Sequence, residues 1–193
     1  GGYVEHILHI ISHSLELKQI WEKNGAMINF TDEELVFAAL HHDLGKVGDL
    51  AEDYYVPQDN DWWIKNRGEY YKHNGKLQYM TVTDRALFIL QHFGISMTEL
   101  EYIGLRLTDG MYEEANKGYF MGYGEGKNLK TNLPYLLHNA DSLATRWEKE
   151  QYMYSPDSDI KYEEIFNSEL KVEREREEAE AVENMKQALV KDE

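Results

Sequence analysis

The sequence predicts an all-α protein, and three observations carry that prediction. Apolar residues recur at helical spacing through most of the chain, Thr or Asp stands before several of these stretches, and glycine closes them. Nowhere does an apolar-polar alternation persist long enough to build a half-buried strand.

The opening "YVEHILHIISHSLELKQIWEKNG" has apolar residues at Val4, Ile7, Leu8, Ile11, Leu15 and Ile20, a helical period, and stops at Asn24-Gly25, a C-cap signal. The next stretch, "FTDEELVFAALHHDLGK", offers Thr31 or Asp32 as N-cap and Glu34 in the first turn. Its nearly all-apolar run predicts a buried second helix that carries His41, His42 and Asp43 at its C-terminal end and is closed by Gly45. From Asp49 to Lys76 the pattern is irregular, with Pro57, Asp59, Asn60 and Asp61, then the pairs Trp62-Trp63 and Tyr70-Tyr71. This predicts a long aromatic loop with a short helix rather than a strand pair.

Helical spacing returns from Thr83 or Asp84 to Gly94, and again from Thr98 onward with an interruption or cap near Gly110. The glycine-rich "GYFMGYGEGKNLKTN" is a loop, and "NLPYLLHNADSLATRWEKEQ" a late helix with Pro134 in its first turn, where the missing N–H costs little. Residues 1–150 are expected to form the main domain, and 151–193 an acidic helical extension. The extension pairs opposite charges at helical spacing and has a thin stripe of Val172, Ala179, Val182, Met185 and Leu189. That stripe reads as solvated surface, with a contact between copies in a homo-oligomer as the rival reading.

Composition narrows the chemistry. The 193 residues include no cysteine, so any metal must sit on nitrogen and oxygen ligands. The net charge of −16 disfavours duplex nucleic acid as a partner but leaves room for a small anion beside a bound cation. With no apolar run near the ~18 residues a membrane span needs and no signal-peptide order, the expectation is a soluble, cytoplasmic protein with no membrane partner. "GYGEGKN" fails as a phosphate-binding loop, since Met121 stands where the first glycine is required and Asn128 follows Lys127.

His6, His9 and His13 fall on one face of the first helix. With His42 and Asp43 on the second helix and Asp141 on the late one, three helices bring imidazoles and carboxylates suited to a divalent cation, with open positions for water or substrate.

Those residues resemble a family. "HHDLGK", preceded by "GGYVEH" and followed at a distance by "HNADSLA", is similar to the ordered pattern of HD-domain metal-dependent phosphohydrolases, over roughly Gly1 to Glu150. The resemblance implies an HD-domain-like helical bundle with His6, His42, Asp43 and Asp141 as metal ligands; His9, and then His13, are the rivals for the first position. Asp141 is preferred to Asp84, which reads as a helix cap, and to Asp109. Manganese, cobalt, nickel, iron, magnesium and zinc all suit such a donor set.

The implied activity is hydrolysis of a small phosphorylated substrate, a nucleotide above all. A phosphodiesterase acting on cyclic dinucleotides or single-stranded nucleic-acid ends is the alternative, and a catalytically silent regulatory module that keeps its metal is the alternative from another class. Lys46 is the best placed cation for the phosphate, with Arg67, Lys127 and Lys130 behind it. Asp43 and Lys46 are the expected catalytic groups, joined by His92 as a candidate leaving-group acid, although a lone histidine on an apolar helix is more often a wall residue. Trp62 and Trp63 are candidates for stacking on a nucleobase, against the plainer reading that they pack the insert onto the domain.

Overall fold

A computed structural model describes residues 2–122 and 124–154. The acidic helix expected beyond residue 155 lies outside them. By its contacts the chain divides into units 1–145 and 146–193. Seven α-helices and one two-stranded sheet make up the described residues: α1 (Tyr3–Lys23), α2 (Asp32–His41), β1 (Tyr55–Pro57), α3 (Asp61–Arg67), β2 (Tyr71–His73), α4 (Val82–His92), α5 (Glu99–Arg106), α6 (Lys117–Phe120) and α7 (Leu133–Tyr154).

The caps explain where the helices begin. Thr31 opens α2 and Thr98 opens α5, each accepting from the backbone three residues on while Glu34 or Glu101 bonds back to the cap, so two otherwise orphaned N–H groups are satisfied at each end. The N-cap of α4 is Thr81, so the helix starts at Val82, slightly before the expected Thr83 or Asp84. The stretch after α5 breaks sooner than expected, at Arg106, and continues as two short 3-10 turns, Gly110–Tyr112 and Glu114–Asn116.

The insert contradicts the expected loop without strands. Tyr55–Pro57 and Tyr71–His73 pair antiparallel, in register Tyr55 to His73, and flank α3. Three residues per strand are too few for period-two patterning to be visible, so local sequence carried no signal for the pair. Arg85 of α4, only 3% exposed, anchors the insert: it donates to the Gln78 carbonyl at 2.5 Å and lies 6.0 Å from the Tyr54 ring.

The main core joins α1, α2 and the first part of α7 through Ile10, Leu35, Leu133, Leu136, Leu137 and their neighbours, while Ala86, Leu90 and Leu105 form a second cluster between α4 and α5. Each fully buried leucine contributes about 1.5–3 kcal/mol relative to exposure. This packing brings α1, α2 and α7 together, and the start of α4 lies against the turn that follows α2. Among the described residues no helix is long and apolar enough to cross a membrane.

Candidate functional site

The sharp turn after α2 makes the site. The helix ends at His41, earlier than the expected stop at Gly45; His42 keeps helical angles and Asp43, at φ −99° and ψ 7°, starts a 3-10 turn over Leu44–Val47. That turn brings Lys46 back over Asp43. Gly45 is required for a different reason from helix termination: a side chain there would overlap the carbonyl of Val82, against which the turn is packed.

At the turn, a nitrogen of His6 from α1, one of His42 and a carboxylate oxygen of Asp43 all lie within 4.8 Å of one another. His6 Nε2 is 3.8 Å from Asp43 Oδ2 and 3.4 Å from Asp141 Oδ1, while His42 Nε2 is 3.6 Å from Asp43 Oδ2. Asp141 therefore joins the trio through His6. The His42 Nδ1 atom sits 2.8 Å from the Ala39 carbonyl, which can only accept, so Nδ1 carries the proton and Nε2 presents its lone pair. That Nε2 is buried and makes no hydrogen bond. An orphaned imidazole lone pair beside carboxylates is costly unless another group occupies the space, and the donor set of neutral imidazole and carboxylate suits a divalent cation.

The electrostatics are those of a concentrated negative site. Burial alone would raise the Asp141 carboxyl, but the hydrogen bond with His6 and the positive charge nearby, Lys46 included, bring it below its ordinary value. Burial likewise works against the Lys46 ammonium, yet Asp43, bonded to Nζ at 2.5 Å, with Tyr55 and Asp141, holds its pKa above the usual lysine value. Burial and the nearby Asp43 charge push the Tyr3 hydroxyl up to about 12, so it stays protonated at neutral pH.

Other candidates fall elsewhere. His9 faces Glu5 on its own helix, and neither His9 nor His13 belongs to the tight trio. His41 turns away, with Nδ1 2.8 Å from the Phe37 carbonyl and its ring 4.3 Å from that of Phe37. Asp109 accepts from the Thr83 hydroxyl at 3.0 Å, and Asp84 stands in the first turn of α4.

His92 is exposed at the far end of α4 beside Phe88 and Phe93, roughly 13 Å of helix rise from Thr83, and so is not a wall residue of the core. Lys127 and Lys130 are also removed from the trio. They line a separate cavity of about 500 Å³ with Glu99, Leu100, Ile103 and Tyr119. Its loop is tied to the other end of α1 by Asn29 donating to the Lys130 carbonyl and Asn132 to that of Met27. Arg67 lies 5.9 Å from the Trp63 ring, and Trp62 and Trp63 meet edge-to-face at 5.1 Å, both exposed on the insert rather than packed into a core.

Tyr3 and Tyr55, which lie close enough to Asp43 and Lys46 respectively to interact with their charges, had no signal in the sequence. Compared with family models, with curated proteins and with solved structures, the chain gives no match.

Proposed function

We propose that the chain is a metal-dependent phosphohydrolase of the HD-domain type acting on small phosphate esters, nucleotides first among them. The observation that carries this reading is the His42 imidazole, its tautomer fixed by Ala39 and its buried Nε2 left without a hydrogen bond among His6 and Asp43. His6, His42 and Asp43, with Asp141 beside them, would hold the cation. When bound, it supplies Lewis acidity toward a phosphoryl group and toward water.

The chain's own groups supply the rest. Lys46 keeps its charge at neutral pH and, with its side chain 37% exposed beside Asp43, would offset the charge of an entering phosphate. Tyr3 remains a protonated hydroxyl at the cluster's edge, and its contact with the Leu40 carbonyl at 3.4 Å is long enough to be exchanged for a better acceptor. Tyr55, close enough to Lys46 to affect its pKa, opens the insert that displays Trp62 and Trp63. A substrate with a phosphate at the cluster and an aromatic base toward that insert fits this order of groups.

The test is turnover. Purified protein is assayed with Mn, Co, Ni, Fe, Mg and Zn against mononucleotides, nucleoside triphosphates, cyclic dinucleotides and short single strands. Metal-dependent release of phosphate from the mononucleotides is expected. Metal binding without turnover of any substrate would overturn the hydrolase reading and favour a regulatory module.

A further inference from the structure

The cavity beside α5 shares no lining residue with the His/Asp trio, and its composition is that of a binding site rather than a reaction site. We propose that it takes a small organic anion, whose acidic group pairs with Lys127 and Lys130 while its apolar or aromatic body lies on Leu100, Ile103 and Tyr119.

The apolar part of the lining is fixed in place. Leu100 and Ile103 stand three residues apart on α5 and so share a helix face, and Leu100 packs against the main core. Both are half-buried, and Tyr119 of α6 is 43% exposed. Covering that surface with the body of a ligand removes apolar area from water, and the tyrosine ring is suited to an aromatic partner. The volume of about 500 Å³ is ample for a molecule of this kind.

The lysines stand out against the rest of the chain. Most lysines of the described residues are matched to a carboxylate, as Lys18 is to Asp32, Lys46 to Asp43, Lys72 to Asp59 and Lys117 to Glu114. Lys127 and Lys130 have neither an ion pair nor a side-chain hydrogen bond among the described residues. In a chain of net charge −16, two such cations line one cavity with a single carboxylate, Glu99. Their backbone is held: the Lys127 N–H donates to the Gly124 carbonyl at 3.2 Å, and a side chain at Gly122 would overlap the Lys127 carbonyl. The Lys130 carbonyl accepts from Asn29 at 2.8 Å, and the neighbouring Thr131 hydroxyl accepts from the Leu133 N–H at 3.2 Å. A pair of ammonium groups on an anchored loop recognises an anion by charge, whether phosphoryl or carboxylate. Glu99 disfavours a second acidic group on the same ligand and accepts from a hydroxyl or N–H.

The experiment titrates the full chain, in EDTA, with phenylphosphonate, phenylacetate, benzyl alcohol and benzylamine. Without metal the His/Asp cluster has no cation to draw the acids. Amide shifts by NMR should saturate at residues 126–131 and at Tyr119 with a Kd of about 1 mM or tighter for at least one acid, the range open to so small a ligand. The tighter of the two acids identifies the anion as phosphoryl or carboxylate. Benzyl alcohol and benzylamine should bind at least about tenfold more weakly, and Lys127→Ala with Lys130→Ala should weaken the acid by about tenfold or more. Gly118→Leu leaves both lysines in place and adds bulk at a lining position where a Cβ meets nothing within 4 Å, so it should block the site without straining the fold. Thermal melting should show both variants folded. No saturation by either acid, equal affinity for benzyl alcohol, shifts centred on His6 and His42, or binding that survives Gly118→Leu would overturn the assignment. No turnover is read, so this outcome and that of the hydrolase test are independent.

Discussion

The cleft around His42 and the cavity around Lys127 and Lys130 differ in how their polar groups are held. In the first, His6, His42, Asp43 and Asp141 come from α1, the turn that follows α2, and α7, and a backbone carbonyl fixes the ring of His42. In the second there is more room, about 500 Å³, but no histidine among its lining residues and a single carboxylate, Glu99. Volume alone is poor evidence of chemistry; converging groups with fixed protonation states are better evidence. Substitutions at the two ends should therefore separate sharply.

The largest effect belongs to Asp43→Ala, which removes the carboxylate common to His6, His42 and Lys46. Metal binding by calorimetry and turnover in the metal panel should both fall by about 10³-fold or more, and full activity in this variant would dissolve the contrast between the clefts. Next is Lys46→Ala, expected to lower kcat/KM on a mononucleotide by about 10²-fold while metal affinity is kept. Equal turnover with and without this ammonium would remove it from the phosphate site.

Packing at the turn gives a third measure. Gly45→Ala drives a methyl into the Val82 carbonyl, and thermal melting should show a loss of about 1–3 kcal/mol. Thr31→Ala, which dismantles the α2 capping box, should cost about 1 kcal/mol by the same method. The smallest effect is predicted for Lys127→Ala with Lys130→Ala: turnover of the mononucleotide within about twofold of wild type, as rim charges remote from a reaction contribute little. A loss comparable to that of Lys46→Ala would move the substrate to the second cavity.

How far the sequence was legible follows the range of the determining contacts. Helices α1, α2, α4, α5 and α7 were readable because caps and helical spacing are local, and their ends shifted only where a cap was misplaced by a few residues. The β1–β2 pair was not, because its three-residue strands find their partner across the α3 insert. That a histidine of α1 could meet His42 and Asp43 was legible from residue type and helical face, whereas the choice of His6 came from the resemblance carried by "GGYVEH"; His6 is the one whose nitrogen lies within 4.8 Å of the other two groups. The placing of His92, Lys127 and Lys130 was not, since the first depends on which end of α4 meets the turn after α2 and the other two on where the loop before α7 folds back. Gly45 shows the same limit: its sequence position suggested a helix stop, whereas its need is the close approach of Val82, a contact 37 residues away.

The most direct test of the central claim, that His6, His42, Asp43 and Asp141 hold one divalent cation, is a manganese titration of the full chain followed by calorimetry. Wild type, His6→Ala, His42→Ala, Asp141→Ala and His9→Ala are compared. The account predicts one tight site per chain, lost or weakened about 30-fold or more in the first three variants and unchanged in His9→Ala, as expected when a ligand rather than a bystander is removed. No tight binding by wild type, or binding that survives His6→Ala and fails in His9→Ala, would contradict it.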